Sequence, residues 1–379
     1  MSEKINDYQV NIERLTEQFK KLVSIDSVSF QEREMADYLR EQFEQLGFEV
    51  MEDEAGKHYQ SDTGNLFAFK KGNIEGAPIL FSSHMDTVMP GFHKKAIIQE
   101  DGTITSDGTT VLGADDVSGI AAILEAVRIL EENNARHRDI EVFLPIAEEV
   151  YLKGSEVFDP SIIKAKEAYV LDLCGPIGTA ALQAPTLIAF TLEVIGKASH
   201  AGFAPEEGIN AIRAAAQVIG QVNQGQVDSE TTVNLGTIEG GTATNIVSDY
   251  CKIRGEIRSY RHEKAKEQLN EIEQIAAKVT KEMGASYRLE KRIECYAYET
   301  DKESLVVRRY QKACEELEIP VTLTKTFGGS DNNNLVKYGM NGIVIACGME
   351  QVHSCKEYTT VDALVKSTNV IRKLMESEE

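Results

Sequence analysis

Apolar residues recur at helical spacing early in the chain, at Ile12, Leu15, Phe19 and Leu22 and again at Met35, Leu39, Phe43 and Leu46 before Gly47. That period predicts two amphipathic helices. Short strand-like runs follow at 65–70 and 79–83. From Asp116 onward, Val117, Ile120, Ala121, Leu124, Val127 and Leu130 predict a third helix of about four turns. The runs "DIEVFLPIA" (139–147) and "AYVLDL" (168–173) have the length and apolar continuity of buried strands. Strands alternating with helices in this way predict an α/β fold with a mostly parallel central sheet.

The pattern changes after Pro185. "TLIAFTLEVIG" (186–196) alternates like a half-exposed strand, and a helix is predicted from about Ile209 to Val222. Strands near 232–238 and 246–259, a charged helix near 262–283 and a strand near 286–294 complete a β-α-β-β-α-β order. That order predicts a ferredoxin-like α+β unit. The helix near 303–317 and the strand "GIVIAC" (342–347) return to the first idiom. The expected organisation is therefore a discontinuous larger domain, 1–183 and 298–379, interrupted by an inserted one at 184–297 through two connections.

Composition narrows the function classes. The 379 residues carry 61 acidic against 40 basic side chains, a formal charge of −21. Such a surface repels nucleic acid and anionic membranes. There is no transmembrane run, and "MSEKINDYQVNIERL" lacks the apolar core of a signal peptide. The six cysteines form no C-x-x-C pair. Reduced thiols and a cytoplasmic location are the expectation.

The candidate chemistry lies where apolar runs end. "ILFSS" is followed by His84 and Asp86, "EVFLPIA" by Glu148 and Glu149, "AYVL" by Asp172, and "GIVIACGMEQV" by His353. Open α/β sheets bind ligands outside the carboxyl ends of their strands, so these groups are expected in one cleft. The i, i+2 spacing of His84 and Asp86 suits a ligating imidazole whose other nitrogen is held by a carboxylate. In "LGADD", Asp115 is expected to ligate and bridge two metals, with Asp116 capping or supporting the helix behind it. Glu148 and Glu149 would point opposite ways in an extended chain, one toward metal and one toward substrate. Spacing alone does not say which.

"HMDTV", "LGADDVSGIAAI", "AEEV", "SHAGFAPEEGINA", "GGTATNIVSD" and "GGSDNN" occur in the order found in the co-catalytic zinc exopeptidases related to aminoacylase and glutamate carboxypeptidase. "GADDVSGIAAI" resembles the peptidase T (tripeptide aminopeptidase) branch most. The resemblance implies a catalytic domain carrying an inserted lid, and two divalent ions, zinc with cobalt or manganese as alternatives. It implies that His84, Asp115 and Asp172 hold one ion while Asp115, Glu149 and His353 hold the other. Glu148 would be the general base acting on a metal-bridged hydroxide, and Asp86 would orient His84. The implied substrates are short peptides, with release of the N-terminal residue of tripeptides. An N-acyl-amino-acid deacylase or carboxypeptidase on the same site, or a non-catalytic metal-stabilised peptide-binding protein, are the alternatives.

Three residues of the insert complete the expectation. His200, in "ASHAGFAPEEG", would steady the oxyanion, in its own or a partner subunit's site; relatives often have His-Pro-Gly where this chain has His-Ala-Gly. Asn245 and Arg258 would bind the substrate's free carboxylate, a task that suits guanidinium geometry. The lid is the expected surface of a homodimer. One departure stands out: relatives near peptidase T often carry arginine before the two glycines where this chain has Phe327.

Overall fold

The computed structural model describes residues 8–378. They form two units, one made of the chain up to Gln183 with Glu299–Thr326 and Ser330–Glu379, the other of Ala184–Tyr298 with Phe327–Gly329. The last segment adds to the two connections expected from sequence. Its physical reason is local: the Phe327 ring packs on Tyr260 at 4.5 Å, and the Phe327 carbonyl accepts a hydrogen bond from Arg258 at 2.8 Å.

The first unit is built on a mixed sheet whose four central strands run parallel, in the order Ile140–Leu144, Ile79–Ser82, Glu167–Leu173 and Asn341–Ala346. Leu66–Lys70 and Glu49–Glu52 extend one side antiparallel, and Thr179–Ala184 joins the other side antiparallel. The central strands are apolar along their length because both faces are covered, as parallel sheets require. Leu15, Phe19, Ile120, Leu124, Ile371 and Leu374 pack over one face, and Phe158, Leu335 and Met340 join the cluster on Leu80 and Phe143. Two buried acids of these strands are partnered. Glu141 accepts from the Lys164 and Ala165 amides, and Glu167 pairs with Arg309 at 2.9 Å.

Register places the functional rim. Ile79, Ile140 and Glu167, the first residues of three adjacent strands, stand opposite one another, and at the other end Ser82 aligns with Phe143 and Val170. The helix Ala114–Glu132 crosses just above them. Gly119 permits that approach: a Cβ there would stand 2.7 Å from Ser83 Oγ and 2.8 Å from Leu171 Cβ, closer than real contacts allow. Any side chain would lift the helix from the sheet.

The second unit is a five-stranded antiparallel sheet in the order Gly225–Asp228, Thr231–Gly240, Tyr250–Ser259, Thr186–Ile195 and Ser286–Cys295. Helices Ala211–Ile219 and His262–Glu282 cover one face and share a separate core with Ile188, Leu192, Ile253 and Ile257. The four long strands and two helices follow the ferredoxin-like order. The edge strand Gly225–Asp228 pairs only with residues 231–233 of its neighbour. Beyond them Ile238 is 52% exposed.

Two features escaped the sequence reading. The helix Val361–Glu376 buries Leu364, Ile371 and Leu374 at helical spacing and is capped by Thr360, whose side chain accepts from the Ala363 amide. The strands Glu49–Glu52 and Thr179–Ala184 are short and half-exposed, so their patterns are weak. No helix among the described residues is long and apolar enough to cross a membrane, and all six cysteines are free.

Phe81 lies at the centre of the first unit, fully buried and stacked on Tyr169 at 5.8 Å. Phe81→Ala is expected to destabilise the first unit by about 3–5 kcal/mol, read as a lowered urea midpoint, because the cavity cannot close in a sheet covered on both faces.

Candidate metal centre

Six side chains converge on the rim. His84 follows the strand Ile79–Ser82, Asp172 lies near the end of Glu167–Leu173, and Glu148 and Glu149 sit on the turn after Ile140–Leu144. Asp115 opens the helix Ala114–Glu132, and His353 rides a loop after Asn341–Ala346. His84, Glu148 and Asp172 form one group whose ligand atoms lie within 4.8 Å of one another, and His84, Asp115 and Glu149 form a second. His353 Nε2 lies 2.9 Å from Glu149 and 3.3 Å from Asp115. All belong to the first unit.

Asp115 occupies the middle. Its Oδ1 lies 3.0 Å from His84 Nε2, while its Oδ2 faces His353 Nε2 at 3.3 Å. One carboxylate thus presents an oxygen to each imidazole. Its backbone departs from the helix it begins (φ −81°, ψ 100°), and the peptide to Asp116 is cis.

Asp86 acts on two neighbours at once. Its backbone carbonyl is the closest partner of His84 Nδ1, at 2.9 Å, with its carboxylate Oδ1 at 3.4 Å. A proton on Nδ1 donated there leaves Nε2 as the ligating nitrogen. The carboxylate is mainly occupied elsewhere: it accepts from the Glu148 amide at 2.9 Å, the Glu149 amide at 3.2 Å and Ser29 Oγ at 2.7 Å. It therefore fixes the turn that carries both glutamates.

Asp116 does not cap the helix. Its side chain is buried, with Oδ1 accepting from Cys347 Sγ at 3.6 Å. The capping work falls to Glu357, whose carboxylate accepts from the Gly113 amide at 2.7 Å and the Asp115 amide at 2.9 Å. Sequence reasoning left Glu357 without a role and overlooked Glu32, which accepts from the Ala147 amide at 2.9 Å. Both act across long stretches of chain, where no local pattern marks them. For Glu357 the one available signal was its position four residues after His353.

The electrostatics follow from burial. Desolvation pushes Glu148 and Asp172 well above the usual carboxylate range, with Asp172 acting further on Glu148 and Asp115 on Asp172. Glu149 is raised for the same reasons. Burial opposes ionisation of Asp115 too, but the His353 and His84 contacts outweigh it and hold its carboxyl low. His353 is pushed up to about 10 by Asp115 and Glu149. Burial works against a charge on His84, yet Asp115 and then Asp86 hold its imidazole well above its ordinary value. Among the described residues no lysine or arginine pairs with Asp115, Glu148, Glu149 or Asp172.

This donor set fits divalent cations. Buried carboxylates without a basic partner are costly, and a metal is one of the few ways to compensate them. Imidazole and carboxylate together suit zinc, and equally cobalt or manganese.

The remaining candidates lie in the second unit. His200 and Asn245 are neighbours: His200 pairs with Ile246 across a two-stranded ribbon, and the Ala201 amide donates to the Asn245 carbonyl at 2.9 Å. His200 Nδ1 accepts from the Gly202 and Phe203 amides at 3.1 and 3.2 Å, which leaves its hydrogen on Nε2. The exposed ring, stacked on Phe203 at 4.3 Å, thus offers a donor. Arg258 sits on the strand Tyr250–Ser259, and its guanidinium is engaged by Glu256 at 2.8 Å and the Phe327 carbonyl. A substrate carboxylate there would share the arginine with Glu256. Asp331, in "GGSDNN", is fully buried in the first unit, and burial raises its carboxyl to about 7.

The chain is similar to known peptidases. Residues 184–284 match the family model of a peptidase dimerisation domain, and residues 65–231 that of peptidase family M28. The chain is 37% identical to the uncharacterized protein YqjE of Bacillus subtilis, covering 97% of this chain and 99% of that one. Its structure resembles the aminopeptidase PepT of Bacillus cereus at 37% identity, with 97% and 98% of the two chains covered and a TM-score of 0.89. A tripeptidase of Staphylococcus aureus is similar at 32% identity, with 97% and 98% covered and a TM-score of 0.94.

Burial, with a further push from Asp86, raises Glu32 from 4.5 to about 8, so the folded protein holds a proton that the unfolded chain releases. The resulting stabilisation is complete below about pH 4.5 and is lost as pH rises through 8. Glu32→Gln, which carries a neutral acceptor for the Ala147 amide, is expected to flatten that fall. Urea midpoints of the metal-free protein at pH 5 and pH 8 test this, and equal pH slopes for both proteins would refute it.

Proposed function

Because the chain belongs to the peptidase T-like family of metallopeptidases, we propose that it is a two-metal exopeptidase of the cytoplasm that removes the N-terminal residue from tripeptides. The observation that carries this reading is Asp115, whose two oxygens face two different imidazoles. In the proposed centre His84, Asp115 and Asp172 hold one ion, and Asp115, Glu149 and His353 the other. Zinc is the proposed metal, with cobalt or manganese able to replace it. Two such ions, when bound, polarise the scissile carbonyl and make a water acidic enough to attack at neutral pH.

The chain's own residues do the rest. Glu148 takes the proton of the attacking water and returns it to the leaving amine; its buried, raised carboxyl suits a base that must also act as an acid. Asp86 sets the glutamate turn through its amides and His84 through its own carbonyl. His200 offers its Nε2 hydrogen to the oxyanion of the tetrahedral intermediate. Asn245 and Arg258 are the proposed binders of the peptide's carboxylate, Arg258 through the donors that Glu256 and Phe327 leave over. Tripeptide recognition is further supported by the likeness to a tripeptidase and an aminopeptidase.

The second unit, Ala184–Tyr298 with Phe327–Gly329, is proposed as a lid and dimerisation domain. Its match to a peptidase dimerisation domain and the unpaired outer edge of Thr231–Gly240 support a homodimer formed there. The free cysteines support a reducing compartment.

Chelation is expected to abolish peptidase activity, and zinc, cobalt or manganese to restore it. Glu148→Gln should lower kcat by at least about a hundredfold while the protein still binds metal. The products formed from di-, tri- and tetrapeptides and from N-acetylated amino acids identify the substrate class. Full activity of the stripped protein would sink the metal reading, and faster turnover of N-acetylated amino acids than of tripeptides would sink the peptidase reading. His200→Ala is expected to lose more than about tenfold in kcat with little change in metal content.

A further inference from the structure

Glu357 lies in neither ligand set, yet it touches the backbone of one ligand and belongs to the loop of another. The residue is 1% exposed. Oε2 accepts from the Gly113 amide at 2.7 Å and Oε1 from the Asp115 amide at 2.9 Å. Gly113 has no side chain to cap the helix it precedes and holds a left-handed conformation (φ +77°), with the Lys94 side chain against it. The Lys94 ammonium is spent on the Ile25 and Gly91 carbonyls at 3.1 and 3.0 Å. Both carboxylate oxygens of Glu357 are thus committed to the turn that presents Asp115.

The other end of the connection is equally fixed. Glu350 and Tyr358 exchange backbone hydrogen bonds at 2.9 and 3.0 Å, closing a loop with His353 inside it. Tyr358 begins the strand Tyr358–Thr360, which pairs with Thr103–Thr105. Glu357 therefore stands at the closed base of the His353 loop and reaches across to Asp115. The two residues it joins face each other at 3.3 Å.

We propose that Glu357 is a positioning residue that sets the spacing between Asp115 and His353 before any cation arrives. It acts through the Asp115 amide and the base of the His353 loop, and touches neither substrate nor metal. This rests on the two-metal reading above. A helix cap that served stability alone would not need to spring from the loop of a second ligand. Removing one of its two acceptor oxygens loosens the one carboxylate that both proposed ion sites share.

Glu357→Gln keeps the shape but turns one oxygen into a donor facing a backbone N–H. It is expected to weaken zinc and cobalt binding about 10–100-fold by competition titration and to change the visible spectrum of the cobalt-loaded protein. Glu357→Asp, which keeps the charge one methylene short, should fall between this variant and the wild type. Wild-type affinity and an unaltered cobalt spectrum in Glu357→Gln would overturn the proposal, even if its melting temperature fell. A measurement on the unmutated chain covers failure of the variants to fold. Amide exchange of the peptide spanning 110–118 in metal-stripped wild-type protein should be slow, because the clamp is present without cations. Exchange there as fast as in an exposed loop would equally refute the idea. If the wild type binds no cation, the two-metal reading fails separately, and slow exchange still reports the clamp.

Discussion

Like charges held together in a dry place are what this protein is organised around. Glu148, Glu149 and Asp172 converge where desolvation and mutual repulsion both oppose ionisation, beside an Asp115 that two imidazoles keep charged. No arginine or lysine among the described residues pairs with them. The chain holds them instead with backbone. Parallel register aligns the central strands, Asp86 gathers the two glutamate amides, and Glu357 and Glu32 secure the turns on either side. Buried carboxylates are themselves the fasteners, so the site is acidic in its second layer as well as its first.

That arrangement explains why some of the site was legible in sequence and some was not. His84, Asp172 and His353 follow apolar runs, and a run that must be a buried strand also says where its end points. Asp115 announced itself through the glycine and the periodic helix behind it. Asp86 was correctly placed beside His84, but its carboxylate engages the Glu148 and Glu149 amides, contacts more than sixty residues away in sequence. Glu32 and Glu357 look like ordinary surface acids in a chain with 61 of them. Only the fold distinguishes them, because their partners are backbone amides, which every residue has.

The fold itself was easier to read than its details. Long periodic segments such as Ala114–Glu132 and His262–Glu282 bury one stripe or almost every side chain, and hydropathy records that directly. The ferredoxin-like order of the second unit followed from strands that alternate. Short elements such as Glu49–Glu52 depend on pairing rather than on their own composition, and so leave little mark. Of the two roles expected for Asp116, capping or supporting the helix, the structure lacks the cap and buries the side chain in the core instead.

The loop closed by Glu350 and Tyr358 carries a last consequence. It contributes the final member of the cluster, nearly 270 positions after the first, which is His84. During synthesis the nascent chain therefore exposes several acids long before the partner that completes their cage has been made. The proposed ligand set is therefore complete only once residue 353 has joined the chain.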